Sequence, residues 1–478
     1  MKNYQTIYSF IKDFSRNLVE KLDLNEFSSI NLSENLFYKI GGYNLHLGIL
    51  LKLISENDKR TFLLKIPLLN KLIISFFFRF LRTYEIEPQF ENPSLSRNTV
   101  KYDYICFATM NNYLNPLVEF IKRKKNSVLI LPKESKNWVN YKKIAENNIN
   151  AVFLEDLFQF DGNRAEEIRN EIKNRYFKKR REILSYRHNL YFIEPLLVRF
   201  LFEFVPKHLV IVKGLKKYLF KVSHPQTQFY LARDRRALEN AFVQIANQIN
   251  GRTNMIIHGL ISFDYENRIW EAGRYDLCRN IHVWGKHDKE VIEKMQKSLN
   301  EKMPNIIIGG NSFFRKLPRT ADNYILFICE SFTRKYISFF SENLPEDRKV
   351  IVRLHPESKN EIYKFKKYER KNFLIDDLKK GLAELLPGAA LVLSYSSTGV
   401  LESIYSQIPV LILGFKGLEK TPTIIRESPV PEKEFGTIVI DETNYKQKID
   451  EILFDKDSRE KVLAVNKKIF KYFVKTDD

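Results

Sequence analysis

Cysteine is nearly absent: Cys106, Cys278 and Cys329 stand far apart in 478 residues and form no CxxC pair. That excludes a disulfide framework and a thiolate zinc site and suits a reducing, cytoplasmic setting. Long apolar runs are missing as well. The best of them, LIISFFFRFL at 72–81, is ten residues long and broken by Arg79, about half of the roughly 20 residues a bilayer-spanning helix needs. The opening MKNYQTIYSFIKDFSRNLVEKLDLNEF carries charges every few residues and lacks the apolar centre of a signal peptide. Metal-ligating spacings are absent: the eight histidines are scattered, with no HExxH and no DxD between apolar strands, so no metal and no cofactor are expected. Acids are short, 58 against 78 Lys and Arg, for a net charge of +20. The surplus fits lysine-rich solvated faces first, attraction to an anionic membrane surface second and nucleic acid last. No RNA-binding signature, zinc finger or recognition helix accompanies it.

What is present is ample core material, 44% apolar and 13% aromatic, in a chain too long for one core. Residues 1–98 have an amphipathic helical pattern and end in a linker, EIEPQFENPSLS. Within them, KIPLLNKLIISFFFRFLR at 65–82 mixes cations with aromatics, the composition of a helix lying in a membrane interface. From 99 to 285 the short apolar strands YDYICFA, SVLILP, NAVFLED, TQFYLARD, TNMIIHGL and NIHVWG alternate with helices, among them a long basic helix at about 164–186 and an apolar one at about 193–204. From 286 to 478 the alternation continues through a helix, NIIIGG, YILFICES, KVIVRLHPES, NFLID, AALVLSYSSTG, PVLILG and GTIVID. Strand–helix alternation at this spacing predicts an α/β protein. It has two doubly wound Rossmann-like domains, 99–285 and 286–478, facing a cleft, plus the helical N-terminal segment. Ligands of such sheets bind beyond the carboxyl ends of the strands.

Three strand ends carry the chemistry. LVLSYSSTGVLESIY at 391–405 leaves an apolar strand through Ser394, Ser396, Ser397, Thr398 and Gly399 and enters a helix. Small residues, hydroxyl donors and free backbone N–H groups at a helix start suit a phosphate. Ordinary capping needs one hydroxyl, not four. Glu402 lies one turn in, where a carboxylate can accept two ribose hydroxyls; position 399, three residues earlier, is glycine, so no capping box explains it. KVIVRLHPES places Arg353, His355 and Pro356 at a strand end, poised to stabilise a departing phosphate. TNMIIHGL ends in His258-Gly259, and His258, with a pKa near neutrality, is the candidate general base for a hydroxyl acceptor. Asp234 in LARDRR could orient His258 or bind acceptor. Gly309, Gly310 and Asn311 resemble a phosphate or hinge turn, and Arg334 is a weaker candidate for a diphosphate contact. Asp376-Asp377 fits the first turn of an amphipathic helix.

Taken in order, H-G (258–259), V-W-G (283–285), G-G-N (309–311), R-x-H-P (353–356) and S-S-T-G-x-x-E (396–402) resemble the GT-B fold glycosyltransferases of bacterial surface polysaccharide synthesis. These are the groups that include the CDP-glycerol glycerophosphotransferases of teichoic acid synthesis and the polysialyl- and Kdo-transferases. The resemblance covers about 100–445 as a series of short motifs. It implies that His355-Pro356 and Ser396-Ser397 hold a cytidine nucleotide's phosphate, that His258 acts as base, and that Glu402 binds ribose, as in the UDP-GlcNAc 2-epimerases of the same fold. It departs in lacking an acidic D/E-D/E-G motif in the first half and a lysine soon after the H-G turn. The implied activity is metal-independent transfer of a sugar, or a sugar-like alcohol phosphate, from a nucleotide-activated donor, CMP- or CDP-linked in slight preference to UDP or GDP, to a surface glycan or lipid-linked glycan. It would take place in the cytoplasm or at the inner face of the cytoplasmic membrane, with no nucleic-acid partner. The alternatives are a sugar-nucleotide epimerase, disfavoured by the lack of acids at strand ends beyond Asp234, and a non-catalytic nucleic-acid or membrane-surface binding protein.

Overall fold

The computed structural model describes residues 2–28, 30–33, 100–138, 141–185, 194–233, 237–257, 259, 261, 275, 277–310, 314, 318–320, 323–330, 333–344, 347–355, 358, 361–395, 397–418 and 423–475. The interfacial stretch 65–82 and the linker 85–96 lie outside these residues.

Two parallel sheets are wound in the same order. The first contains β1 (Tyr104–Phe107), β2 (Ser127–Leu131), β3 (Ala151–Phe153), β4 (Gln228–Leu231), β5 (Arg252–Ile256), β6 (Asn280–Val283) and β7 (Asn305–Ile308). They are ordered β3-β2-β1-β4-β5-β6-β7, with β3 through β6 paired parallel. The second contains β8 (Tyr324–Cys329), β9 (Val350–Leu354), β10 (Phe373–Ile375), β11 (Ala389–Ser394), β12 (Val410–Leu413) and β13 (Val439–Ile440), ordered β10-β9-β8-β11-β12-β13 and parallel throughout. The continuous apolar sequences of β8, β11 and β12 follow from this architecture. Every residue of these strands is buried, because helices cover both faces of a parallel sheet. In each sheet the winding reverses once, between β1 and β4 and between β8 and β11.

The compact units are Met1–His258 with Phe263–His282 and Ile292–Ile307, and Gly259–Ser262 with Val283–Val291 and Ile308–Asp478. NIIIGG therefore supplies β7, the edge of the first sheet. The first unit also takes in the described N-terminal residues. Helix Lys2–Lys21 and the turn Leu24–Phe27 are anchored by Arg175, whose guanidinium donates to the Leu22 and Asp23 carbonyls at 3.1 and 3.2 Å and pairs with Glu26 and Glu171.

The basic helix runs Gly162–Leu184, with the Asp161 side chain accepting the Arg164 amide at its start. The apolar helix predicted at 193–204 is instead Glu194–Arg199 followed by a π-helical turn, Phe200–Phe204, that continues into helix Val205–Val222. Pro206 is the cause. It has no N–H for the carbonyl four residues back, so the α ladder cannot pass through it. The orphaned Phe202 carbonyl accepts from Arg169 Nε at 2.7 Å instead.

A fully buried ionic cluster lies in the second unit. His287 sits between Asp288 and Glu427, with Nε2 2.9 Å from Glu427 Oε2 and Nδ1 3.4 Å from Asp288 Oδ1. Asp288 also accepts the Ile261 and Trp284 amides. Burial pulls the imidazole pKa down, but the two flanking carboxylates outweigh it and hold His287 above its ordinary range; burial also raises the Asp288 carboxyl. Both shifts have one sign. A pKa raised in the folded state gives stability that is complete below the unfolded value, about 6.5 for histidine, and is lost as pH rises through the raised value. The second unit is expected to melt at progressively lower temperature as pH rises, from about pH 4 through Asp288 and further from about 6.5 through His287, and His287→Gln is expected to flatten the upper part of that decline. Melting curves at several pH values would show it, and stability rising with pH would mean a neutral imidazole.

Candidate functional site

In the second unit the reversal point between β8 and β11 gathers the predicted motifs. β9 hands over to His355, whose backbone N–H donates to the Cys329 carbonyl at the end of β8, 3.1 Å away. His355 is exposed, and its own carbonyl accepts the Ser358 amide at 2.8 Å. From the other side, β11 ends in Ser394 and the chain enters the seven-residue helix Gly399–Tyr405. Gly399 packs directly on the sheet. A Cβ there would stand 2.8 Å from Leu382 Cδ2 and 3.0 Å from Ile328 Cδ1 of β8, so glycine is what lets the loop close onto the strand end. The imidazole-bearing turn and the hydroxyl-rich turn thus meet residues 328–329 from neighbouring strands.

Among the described residues, only one of the loop's hydroxyls bonds the start of the helix. Ser397 Oγ accepts the Gly399 amide at 3.2 Å. Thr398, the N-cap residue, is exposed and makes no side-chain cap bond. Ser394 is fully buried at the strand end, and its Oγ has no hydrogen-bond partner among the described residues, an arrangement that costs free energy unless a ligand or water completes it. Glu402 is half-buried one turn into the helix, its carbonyl accepting the Ser406 amide and hydroxyl. Ser396 and Pro356 lie outside the described residues.

Other candidates have structural partners. Arg353 is 8% exposed and its guanidinium is ion-paired with Asp376, just past β10. Asp376 is therefore a strut between neighbouring strands and not a first-turn acid. Asp377 accepts the Lys379 amide and pairs with its ammonium, forming a turn, and the next helix is only Leu382–Leu385. Arg334 is held by Glu361 at 2.5 Å and by Ser358 Oγ, so it braces the loop that follows His355. Gly310 has φ +71°, and a Cβ there would meet the Lys475 carbonyl at 2.8 Å. Backbone packing alone accounts for this glycine. The Cys329 thiol, buried at the end of β8, is pushed up to about 12 and is no nucleophile.

His258 and Asp234 of the first unit lie outside the described residues, as does Asn311 of the second. The described reversal point of the first unit holds an acid that sequence reading missed. Thr109, just past β1, donates its hydroxyl to Glu239 in the first turn of helix Ala237–Gln248, and Glu239 is fully buried. The available signal was a lone carboxylate in ALENAFVQIA, whose packing face buries Glu239 and Asn240 among apolar residues. Among the described residues no group of three His, Cys, Asp or Glu could hold a metal, and no helix is long and apolar enough to cross a membrane.

Compared by sequence, the chain matches no family model and no curated protein. Compared by structure, it is similar to Anabaena Alr3699/HepE in complex with UDP-glucose, at TM-score 0.45 and 9% identity over 78% of this chain and 95% of that one. It is similar to a glycosyltransferase from Rickettsia africae at TM-score 0.42 and 10% identity, over 78% and 94%. It is also similar to the UDP-GlcNAc 2-epimerase from Methanocaldococcus jannaschii at TM-score 0.41 and 14% identity, over 74% and 93%.

Proposed function

We propose that this chain is a metal-independent glycosyltransferase that takes a sugar, or a sugar-like alcohol phosphate, from a nucleotide-activated donor and passes it to a surface-polysaccharide acceptor. The observation that carries this reading is the β8/β11 reversal point, where His355 and the hydroxyl-bearing residues Ser394, Ser397 and Thr398 come together at one strand end with Glu402 a turn away. In this reading Ser396, Ser397 and Thr398 hold the phosphate, His355 stabilises the leaving charge, and Glu402 accepts ribose hydroxyls. His258 takes the acceptor proton, and Asp234 orients His258 or binds the acceptor. Arg353 contributes by fixing the β9 terminus through Asp376. CMP- and CDP-linked donors are preferred over UDP and GDP, as the resemblance of the H-P and S-S-T motifs implies.

The test is thermal stabilisation by CMP, CDP, UDP and GDP, with His355→Ala as control. A ligand at about 100 times its Kd stabilises the folded state by roughly 2.7 kcal/mol, about 5–10 °C for a unit of this size. Selective stabilisation by a cytidine nucleotide, lost in the variant, is expected. No response to any nucleotide would reduce the serine loop to helix capping.

Glu239 favours a second reading. Sugar-nucleotide epimerisation needs acids that remove and return a proton, and a buried carboxyl at the first sheet's reversal point is such an acid. Conversion of free sugar nucleotide with no acceptor present, abolished by Glu239→Gln, would select the epimerase.

A further inference from the structure

Helix Val205–Val222, VPKHLVIVKGLKKYLFKV, holds five lysines and no acid. Its inward face buries Val212, Leu215, Leu219 and Val222. Lys213, Lys217, Phe220 and Lys221 follow at i, i+4, i+7 and i+8, so they share the opposite face, and all four are exposed, Phe220 by 49%. Lys216 places its Nζ 5.5 Å over the Phe220 ring. Helix Gly162–Leu184, which packs against it, repeats the device: Lys173, Phe177 and Arg181 stand at i, i+4 and i+8, with Phe177 64% exposed. Nearby acids are engaged elsewhere: Glu182 with Lys21, Glu194 with Arg180 and Glu203 with Arg199.

We propose that the Lys213–Lys221 face of this helix docks the protein on an anionic lipid bilayer, with Phe220 entering the headgroup layer. The inference goes beyond the transferase reading, and its test needs no turnover. A large aromatic exposed at the centre of a lysine cluster loses water contact only in an apolar medium. The lysine stems can lie along that medium while their ammonium groups reach lipid phosphates. Nucleic acid would also satisfy the charges through its phosphates, and it is the competing outcome of the test.

The test is sedimentation of the full chain with vesicles of phosphatidylcholine alone and of phosphatidylcholine mixed with phosphatidylglycerol. Binding is expected only to the anionic vesicles and to weaken as salt rises. Juxtamembrane lysines act additively on such surfaces, so Lys213→Gln/Lys217→Gln/Lys221→Gln is expected to weaken partition about 100-fold. Phe220→Ser is expected to weaken it roughly 10-fold. Lys456→Gln/Lys461→Gln/Lys467→Gln, an equal charge change on exposed lysines of the second unit, is expected to shift it by less than about threefold. Unchanged binding in the first triple variant, equal loss in the second, or equal affinity for neutral vesicles would overturn the proposal. So would RNA binding through the same lysines with no binding to either vesicle.

Discussion

Replacing Asp376 with alanine is expected to destabilise the second unit by about 3–5 kcal/mol and lower its melting temperature by roughly 10 °C. The side chains of Arg353 and Asp376 are only 10% and 9% exposed, and they face each other from the ends of neighbouring strands β9 and β10. Removing the carboxylate leaves a guanidinium that cannot lose its proton and has little water to solvate it. The cost is that of an uncompensated buried charge, not merely of one lost contact. Asp376→Asn keeps an acceptor at the site and is expected to lose about half as much. Thermal and urea unfolding of the three proteins would check the order. Equal stability of the alanine variant and the parent would mean that solvent reaches the guanidinium.

The double variant Arg353→Met/Asp376→Leu separates scaffold from chemistry. Exchanging a whole buried pair for apolar side chains of similar size is often close to neutral, so the unit should fold. If the pair is a strut, donor affinity will be kept as well. A folded double variant with donor affinity down tenfold or more would instead put the guanidinium in contact with the donor's phosphate.

This pair also marks the boundary of what the chain discloses before it folds. Apolar strands of a parallel sheet are buried on both faces and appear as nearly unbroken runs, so VIVRL and AALVLS are visible, and with them the strand ends where His355 and Ser397 stand. Pairing across the sheet is another matter. Arg353 finds its carboxylate 23 residues on, and that proximity depends on β9 and β10 being neighbours. With no pairing partner in view, Asp376-Asp377 looked like a helix start. Glu239 was passed over for a related reason, since one carboxylate among apolar residues shows nothing of the Thr109 hydroxyl brought to it by β1. The π-helical turn was legible in principle. Pro206 announced a break, but which of the two helical ladders would absorb it depended on Arg169 reaching the Phe202 carbonyl.

Glu402→Ala is expected to weaken donor-nucleotide binding about 100-fold while leaving the melting temperature within a few degrees of the parent. Two hydrogen bonds from ribose hydroxyls to one carboxylate are charge-assisted, and each contributes roughly 1.5–3 kcal/mol. The side chain is half-buried on a helix whose core contacts come from Val400, Leu401 and Ile404, so its removal disturbs little packing. Loss of affinity alone would not identify the sugar as the partner, but a deoxynucleotide does. The parent should bind the 2′-deoxy form of the preferred nucleotide at least tenfold more weakly than the ribo form, whereas the alanine variant should bind both alike, because the carboxylate that tells them apart is gone. Titration calorimetry with two ligands and two proteins closes that cycle. Equal discrimination by both proteins would place the ribose elsewhere, and Glu402 would then belong to the helix and not to the donor.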